Sequence, residues 1–333
     1  IALRLVGSEM CIRDSAMPVT GLLAAKRGSK YMVLLGGFGL VVFLPVLTIA
    51  GSTVVLGLSL FLFGASLGTI DVAMNVHGVE VESIEKRSLM SNFHAQFSIG
   101  GLIGAGLMTL LLSLNISLTI ASFVGATVAF LAMSLTVSRL LNVSTTVENP
   151  FVFPKGIVIL LAFLAAISFL VEGAILDWGA LLVIDRQLLN IQSAGIGYIL
   201  FSAAMVVARL SGDHIVSIFS EFWVLICGGI ITILGISVIL VSTLPSIALI
   251  GFILIGFGSA NLVPIFFSAA GRQKVMPASL AIASVTTIGY AGVLIGPAII
   301  GFAADILNLT MAFWFLAIFI SFVPITACLV AKK

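Results

Sequence analysis

Ten apolar stretches follow one another along most of the chain, and only short polar segments join them. Each stretch is about as long as the ~20 residues that cross a bilayer as a helix. Hydrophobic residues make up 61% of the chain and charged residues 8%, a composition that excludes a soluble globular protein. The sequence therefore predicts an all-α polytopic membrane protein surrounded by the lipid bilayer. The predicted spans are 31–50, 54–76, 93–112, 118–140, 156–176, 194–210, 222–242, 247–269, 280–303 and 311–330.

Basic residues are unevenly distributed over the joints between these spans. Alternate joints carry lysine or arginine, whereas after Arg13 the remaining joints hold a single basic residue, Arg186. An excess of basic residues marks the cytoplasmic side of a membrane protein. We therefore predict that the C-terminus is cytoplasmic. The residues assigned to the cytoplasmic side are Lys26, Arg27, Lys30, Lys86, Arg87, Arg139, Lys155, Arg209, Arg272, Lys274, Lys332 and Lys333.

The two halves of the chain repeat each other at an offset of 192 residues. The segment ending at Gly64 matches the segment ending at Gly256, and the segment ending at Gly104 matches the segment ending at Gly296. A polar, proline-containing joint separates the halves, as in secondary transporters built from two six-helix bundles. The predicted domains are an incomplete N-terminal bundle at 16–140, a cytoplasmic linker at 141–155 and a C-terminal six-helix bundle at 156–333.

The repeat predicts a span at about residues 2–18 that the sequence does not supply. Charged residues are spread through this region at Arg4, Glu9, Arg13 and Asp14. We therefore predict that residues 1–15 are a non-native segment, and that the first helix and most of the second are missing. A genuine amphipathic N-terminal segment is the alternative interpretation.

An acidic residue inside the second predicted span is the first candidate for transport chemistry. Asp71 shares a helical stripe with Gly64, Gly68, Asn75 and Gly78. An acid within a span costs at least ~2.5–3.5 kcal/mol on insertion scales, and it usually marks an ion or substrate path. We predict that Asp71 carries a proton and that Asn75 lines a cavity. A structural, hydrogen-bonded aspartate is the alternative.

The third predicted span begins with further polar side chains. His94 titrates near neutral pH and is therefore a second candidate for proton coupling, with a structural role as the alternative. Gln96, which lies on one stripe with Asn92, Gly100 and Gly104, is a candidate cavity residue. The pair Gly100/Gly104, like its repeat partner Gly292/Gly296, predicts close helix packing.

The second half offers four more candidates for the substrate cavity. Asn261, together with Ser259 and Pro264, is predicted to interrupt the helix that corresponds to the one bearing Asp71. Trp178 lies near a helix end, where a belt position at the membrane interface is the alternative. The four candidates are Glu172, Trp178, Asn261 and Tyr290.

Charged residues at helix ends are candidate gates, with helix capping and topology control as the alternative. Arg209 and Asp213 lie at one cytoplasmic helix end, where a pair could hold one arrangement of neighbouring helices. Asp177 and Arg186 are placed to form a lock on the outer side. The gating candidates are Lys26, Arg27, Asp177, Arg186, Arg209 and Asp213.

The sequence lacks the motifs of other function classes. It holds no nucleotide-binding loop, no catalytic triad and no spacing suited to a metal site. A net charge of +2 gives no reason to expect nucleic acid. We therefore predict no enzymatic activity, no cofactor and no metal. The acidic residues Glu80, Glu82 and Glu85 lie beside Lys86 and Arg87 and are interpreted as solvated.

Two loops resemble the signature of the major facilitator superfamily. The loop Gly21-Leu-Leu-Ala-Ala-Lys-Arg-Gly-Ser-Lys30 resembles the signature between its second and third helices, although Ala25 stands where an aspartate is usual. The segment Arg209-Leu-Ser-Gly-Asp213 resembles the second-half echo. Asp71-Val-Ala-Met-Asn75 is similar to a stretch in the fourth helix of fucose–proton symporter-like members. The segment from Glu172 to Trp178 resembles one in bacterial inner-membrane members.

The resemblance implies a twelve-helix transporter of the cell inner membrane in which Asp71, Glu172 and Asn261 lie on cavity-lining helices. Two bundles would expose a central site to each side in turn. The expected function is proton-coupled symport of a small polar, sugar-like solute by a monomer. Proton-coupled efflux is one alternative, although Gly104 is followed by Ala105 rather than by the proline typical of exporters. A non-transporting sensor and a membrane enzyme are the others.

Overall fold

The computed structural model describes residue 17 and residues 19–142, 153–190 and 193–331. The predicted non-native segment 1–15 and most of the predicted linker lie outside the described residues. Residues 19–27 are helical and precede the first complete helix. The helices that follow are α1 Ser29–Ile49, α2 Thr53–Glu85, α3 Met90–Ser113, α4 Leu118–Thr136, α5 Ile157–Asp185, α6 Ile196–Val241, α7 Pro245–Ser259, α8 Leu262–Arg272, α9 Ala278–Ile306, α10 Leu309–Ile320 and α11 Phe322–Val330.

Within the described ranges, nine helical segments are long and apolar enough to cross a membrane. The all-α, multi-pass prediction is therefore confirmed. Two predicted spans, 194–210 and 222–242, are joined in the single element α6. Its 46 residues would measure ~69 Å as a straight helix, about twice the ~30 Å of a bilayer core. A left-handed residue, Ser220 with φ 67° and ψ 157°, breaks it into 196–219 and 221–241.

The span at 245–272 is also interrupted, as the sequence predicts. Helix α7 ends at Ser259 and α8 begins at Leu262, with Asn261 in a non-helical conformation between them. Pro264 has no backbone N–H, so the carbonyl of Ala260 loses the donor that a continuous helix would provide. Regular bonding resumes one residue later, where the Ile265 nitrogen donates to the Asn261 oxygen over 3.3 Å.

The chain forms two compact units. The first comprises the described parts of Ile1–Ile84, with Phe97–Pro154 and Met276–Thr287. Within it, α1 lies against α2 at Gly36, where an added Cβ would be 2.8 Å from the Ile70 nitrogen. Helices α1 and α4 are joined by a 3.1 Å hydrogen bond between the hydroxyls of Thr48 and Ser122.

The second unit comprises Glu85–Gln96, Lys155–Val275 and Ile288–Lys333, of which the last two residues are not described. Glycines let α6 and α7 approach closely in this unit. An added Cβ on Gly235 would be 2.7 Å from the Gly251 oxygen, and one on Gly228 would be 2.7 Å from the Gly258 oxygen. Helix α5 buries apolar residues along much of its length.

The repeated glycine pairs differ in their packing. In α9, a Cβ on Gly292 would be 2.1 Å from the Ala166 oxygen, and one on Gly296 would be 2.7 Å from a Leu170 methyl carbon. At Gly100 and Gly104 an added Cβ meets no heavy atom of the described residues within 4 Å. The structure thus differs from the prediction at the first pair, because small residues permit a close approach and do not by themselves bring a partner.

Candidate functional site

A charged pair lies inside the membrane-spanning part of the second unit. Arg209 on α6 and Glu172 on α5 form an ion pair with 3.2 Å between Nη2 and Oε1. The arginine side chain is 7% exposed and the glutamate side chain 19%. Charges within a span are costly unless they are paired, and they commonly mark a substrate or ion path. The pair makes Glu172 and Arg209 the centre of the candidate site in this unit.

The same arginine stabilises the break between α7 and α8. Its Nε donates to the Ala260 carbonyl oxygen over 3.2 Å. This is the oxygen that Pro264 deprives of a helical donor, so a side chain replaces the missing backbone hydrogen bond. Arg209 therefore links three segments: its own helix, α5 through Glu172, and the interruption at 260–261.

Asn261, predicted as a cavity residue, lies beside this arginine contact. Its Nδ2 donates to the Ala208 carbonyl oxygen over 3.2 Å. Its Oδ1 is buried and has no hydrogen-bond partner within the described parts of the chain. An added Cβ on Gly212 would be only 2.0 Å from that oxygen, so a larger residue there would displace the Asn261 amide. The amide is held at one end and has a free acceptor at the other.

Asp213 binds the start of α3. Its carboxylate oxygens accept from the Ser91 nitrogen at 3.0 Å, the Asn92 nitrogen at 2.9 Å and the Asn92 side-chain nitrogen at 2.5 Å. The first N–H groups of a helix have no partner within it, and they bear partial positive charge. An acid at this place therefore caps the helix, although it lies more than 100 residues away in sequence. Both residues of the predicted latch, Arg209 and Asp213, reach groups outside their own helix.

The second proton-coupling candidate, His94, lies in the same unit. Its ring stacks on Phe267 of α8 at 5.6 Å between centroids and an angle of 25°. It lies within electrostatic range of Arg209. Gln96, two residues further, is exposed. The structure thus brings His94 near Arg209.

The candidates Tyr290 on α9 and Trp178 on α5 both make aromatic contacts between these two helices. Tyr290 stacks on Phe169 at 4.9 Å and 18°. Trp178 lies against Gly301, and its indole nitrogen Nε1 is buried without a hydrogen-bond partner among the described residues. Both residues contribute to packing in the second unit.

The predicted outer lock is not formed. Asp177 is exposed, and Arg186 donates through Nη2 to the Ser242 carbonyl oxygen over 3.0 Å. Arg186 thus binds the backbone of Ser242, and not Asp177 as the sequence predicted. Of the predicted loop gates, Lys26 and Arg27 are exposed, and the Arg27 guanidinium lies 5.4 Å from the centroid of the Tyr31 ring.

Asp71, the first proton-coupling candidate, is buried in the first unit. Asp71 lies on the apolar helix α2 and is only 3% exposed. Asn75 donates through Nδ2 to the Asp71 backbone oxygen over 2.7 Å. The whole predicted stripe is enclosed, since Gly64, Gly68 and Gly78 are buried as well. The candidate carboxylate therefore lies on the inward face of its helix.

A polar chain in the first unit was missed by sequence reasoning. The Leu141 nitrogen donates to His77 Nε2 over 3.3 Å, so His77 must carry its proton on Nδ1. Nδ1 lies 2.8 Å from the Ser29 hydroxyl, which donates to Glu80 Oε2 over 2.5 Å. The interpretation of Glu80 as solvated is wrong, because its side chain is 20% exposed and hydrogen-bonded. The i, i+3 spacing of His77 and Glu80 was the available signal.

Proteins of known family resemble this chain over nearly its full length. An uncharacterized MFS-type transporter of Yersinia pestis is 41% identical over 320 residues, which cover 95% of this chain and 83% of that protein. An uncharacterized transporter of Sinorhizobium fredii is 31% identical over 326 residues, covering 94% of this chain and 84% of that protein. No protein-family model matches the chain.

Solved structures share the fold. FucP, a transporter of the major facilitator superfamily crystallised in the outward conformation, aligns with a TM-score of 0.80 at 16% identity over 100% of this chain and 91% of that one. A second structure, of a variant of the E. coli fucose:proton symporter FucP, aligns with a TM-score of 0.76 at 16% identity over 98% and 91%. With relatives at these identities and coverages, the chain belongs to the major facilitator superfamily of membrane transporters.

Proposed function

We propose that this transporter carries a small polar, sugar-like solute together with protons, by symport into the cell. The observation that carries the proposal is the buried carboxylate of Asp71 on the inward face of α2. The structurally similar FucP is named a fucose:proton symporter, and this supports the choice of solute class.

Asp71 suits proton coupling because its charge is expensive in that location. A carboxylate within an apolar span costs several kcal/mol unless it is neutralised or solvated. Proton binding neutralises it, so the two protonation states differ in how well they tolerate enclosure. The state open to water favours the charged form, and the enclosed state favours the neutral form. Protonation thus biases the conformational equilibrium by its differential affinity for the two states.

The membrane potential adds a driving force to such a proton. Each elementary charge that crosses the bilayer is worth ~2.3 kcal/mol per 100 mV. The expected import direction follows from coupling inward proton movement to inward solute movement. Export by antiport would use the same acid with the opposite sign of solute movement.

The contact between Asp213 and the start of α3 supports an alternating-access mechanism. It joins residues from the two sequence halves at the end assigned to the cytoplasm by the basic residues. It consists of hydrogen bonds to one carboxylate, and such a contact can break and reform without repacking a core. We infer that the contact closes the cytoplasmic side in one state and opens in the other.

Solute-driven proton movement in proteoliposomes tests this function. A transported solute added outside should make the external medium more alkaline, because protons enter with it. Asp71→Asn should abolish the proton movement while solute binding, followed by thermal stabilisation, persists. Asp305→Asn is the matched control, since Asp305 is an exposed acid at the end of α9. Equal proton movement by the wild type and Asp71→Asn would show that Asp71 is structural.

A further inference from the structure

The Glu172–Arg209 pair could bind an acidic group, and the charges and enclosure of the two side chains determine when it does so. Arg209 stays protonated at all accessible pH values, so its charge must always be compensated. It is nearly enclosed and receives that compensation from a glutamate 3.2 Å away. Glutamate, unlike arginine, can lose its charge by binding a proton. An enclosed arginine left without a negative partner is strongly unfavourable.

We propose that a carboxylate of the solute takes the place of the Glu172 carboxylate on Arg209 when Glu172 binds a proton. The inference rests on the proposed transport function and names the class of solute, a small hydroxy acid. The planar guanidinium binds carboxylates through two parallel hydrogen bonds, and a neutral sugar lacks the negative charge that strengthens them. Glu172 is 19% exposed, so the negative side of the pair is open to exchange.

The side-chain amide of Asn261 is the reason for expecting a hydroxyl group on the solute. Asn261 follows Ala260, whose carbonyl oxygen receives Arg209 Nε. The Asn261 Oδ1 is buried without a partner in the described structure, and it is an acceptor that a solute hydroxyl satisfies. The site therefore presents the cation of Arg209 and the unsatisfied acceptor of Asn261 beside the same break between α7 and α8, which matches a carboxylate and a hydroxyl on one small molecule.

Proton and acid binding are then coupled by charge alone. Solute binding favours a protonated Glu172, because two carboxylates compete for one guanidinium. Protonation of Glu172 favours solute binding, because it removes the negative charge of Glu172 from beside Arg209. By linkage, each raises the affinity for the other by the same factor. One proton and one anionic group enter together, and this step moves no net charge.

Other titratable groups near the pair are accounted for. Arg209 on α6 is the charged partner of Glu172. His94 on α3 lies within electrostatic range of Arg209 and stacks on Phe267. Asp213 lies one turn beyond Arg209 and accepts from the start of α3. Because other ionisable groups surround the pair, the test compares variants of Glu172 rather than pH dependence in the wild type alone.

The experiment uses pairs of probes that differ only in charge. Gluconate is compared with glucitol, galacturonate with galactose, and lactate with propane-1,2-diol, by binding and by proton movement in proteoliposomes. We expect at least one acid to bind about tenfold or more tightly than its neutral partner, and more tightly as the pH falls. Tenfold corresponds to ~1.4 kcal/mol, a modest share of a desolvated ion pair.

Glu172→Gln mimics the protonated residue at nearly equal volume. It should bind the acid with an affinity that no longer depends on pH, and it should lose acid-driven proton uptake. Glu221→Gln is the matched control, because Glu221 pairs with Arg272 at 2.6 Å in the same unit. That variant should keep the pH dependence of the wild type.

Three outcomes decide between the proposals. If a neutral solute drives proton movement that requires Asp71, and none of the acids binds, the transport proposal stands and this inference is wrong. If an acid binds to Glu172→Gln with the pH dependence of the wild type, the inference is also wrong. If no solute of either kind moves protons, the proposed function fails and the solute assignment fails with it.

Discussion

Arg209 donates a hydrogen bond to the one carbonyl oxygen, that of Ala260, which Pro264 leaves without a helical donor. Two unfavourable features thus compensate each other. An arginine within a span lacks water, and a broken helix within a span lacks a backbone donor. Their contact gives Arg209 an acceptor and gives the Ala260 carbonyl oxygen a donor. It also places the arginine charge beside the break between α7 and α8.

Replacing the proline should remove the reason for this contact. Pro264→Ala restores a backbone N–H that can donate to Ala260, so α7 and α8 should become more continuous. A proline in a helix interior costs ~3 kcal/mol, so the variant should be more thermally stable in detergent. Solute-driven proton movement should fall, because Arg209 loses a fixed partner. Pro297→Ala in α9 is the matched control, and unchanged proton movement in Pro264→Ala would contradict the assigned role of the break.

Removing the Asp213 carboxylate should loosen the start of α3. Asp213→Ala deletes the acceptor of three hydrogen bonds, and losing a helix cap costs ~0.5–2 kcal/mol. A cysteine introduced at the buried position Ser91 should react faster with a maleimide in this background. Asp305→Ala should leave the rate unchanged. Equal labelling with and without Asp213 would show that the contact does not hold the helix end.

The two repeated glycine pairs should respond oppositely to the same substitution. Gly292→Ala places a methyl group against the Ala166 carbonyl oxygen, and such overpacking typically costs ~1–3 kcal/mol. Gly100→Ala enters open space and should be neutral or stabilising, since alanine favours a helix over glycine by ~0.5–1 kcal/mol. Thermal unfolding in one detergent measures both. Equal losses of stability would mean that Gly100 packs as closely as Gly292.

The polar chain from Leu141 to Glu80 should depend on His77 as an acceptor. A protonated His77 would turn Nε2 into a donor that faces the donating Leu141 nitrogen, so acid should break that hydrogen bond. Because burial disfavours the charged ring, this loss needs a more acidic medium than an exposed histidine would need. His77→Ala should lose protection of the amides at 137–142 already at pH 7.5, since it removes the acceptor. Protection in His77→Ala equal to that in the wild type would contradict the assigned role of His77 as acceptor.

Much of the fold could be predicted from the sequence, because membrane spans are long apolar runs whose signal does not depend on tertiary contacts. The interruption at Asn261 was equally visible, since Pro264 removes a donor wherever it stands in a helix. The joint predicted at 211–221 was found only in part. The first span stays helical to residue 219 and a single left-handed residue, Ser220, separates it from the second, and serine gives no local signal for this.

The residues of the site were found, but their partners were not. The sequence singled out Glu172 as a charge within a span and Arg209 and Asp213 as charges at a helix end, because charge in or beside an apolar run is conspicuous. It could not show that Arg209 reaches Glu172, or that Asp213 caps a helix from the other half of the chain. Those pairings depend on how helices pack, which sequence spacing does not determine.

The linker between the two spans of α6 is a single residue, Ser220. Most neighbouring spans of this chain are separated by several residues that can absorb a displacement, whereas here one residue must absorb it all. We therefore expect a turn or tilt of 196–219, which carries Arg209, to displace 221–241 as well. On the proposed mechanism, a change of charge at Glu172 would in this way also move the second span of α6.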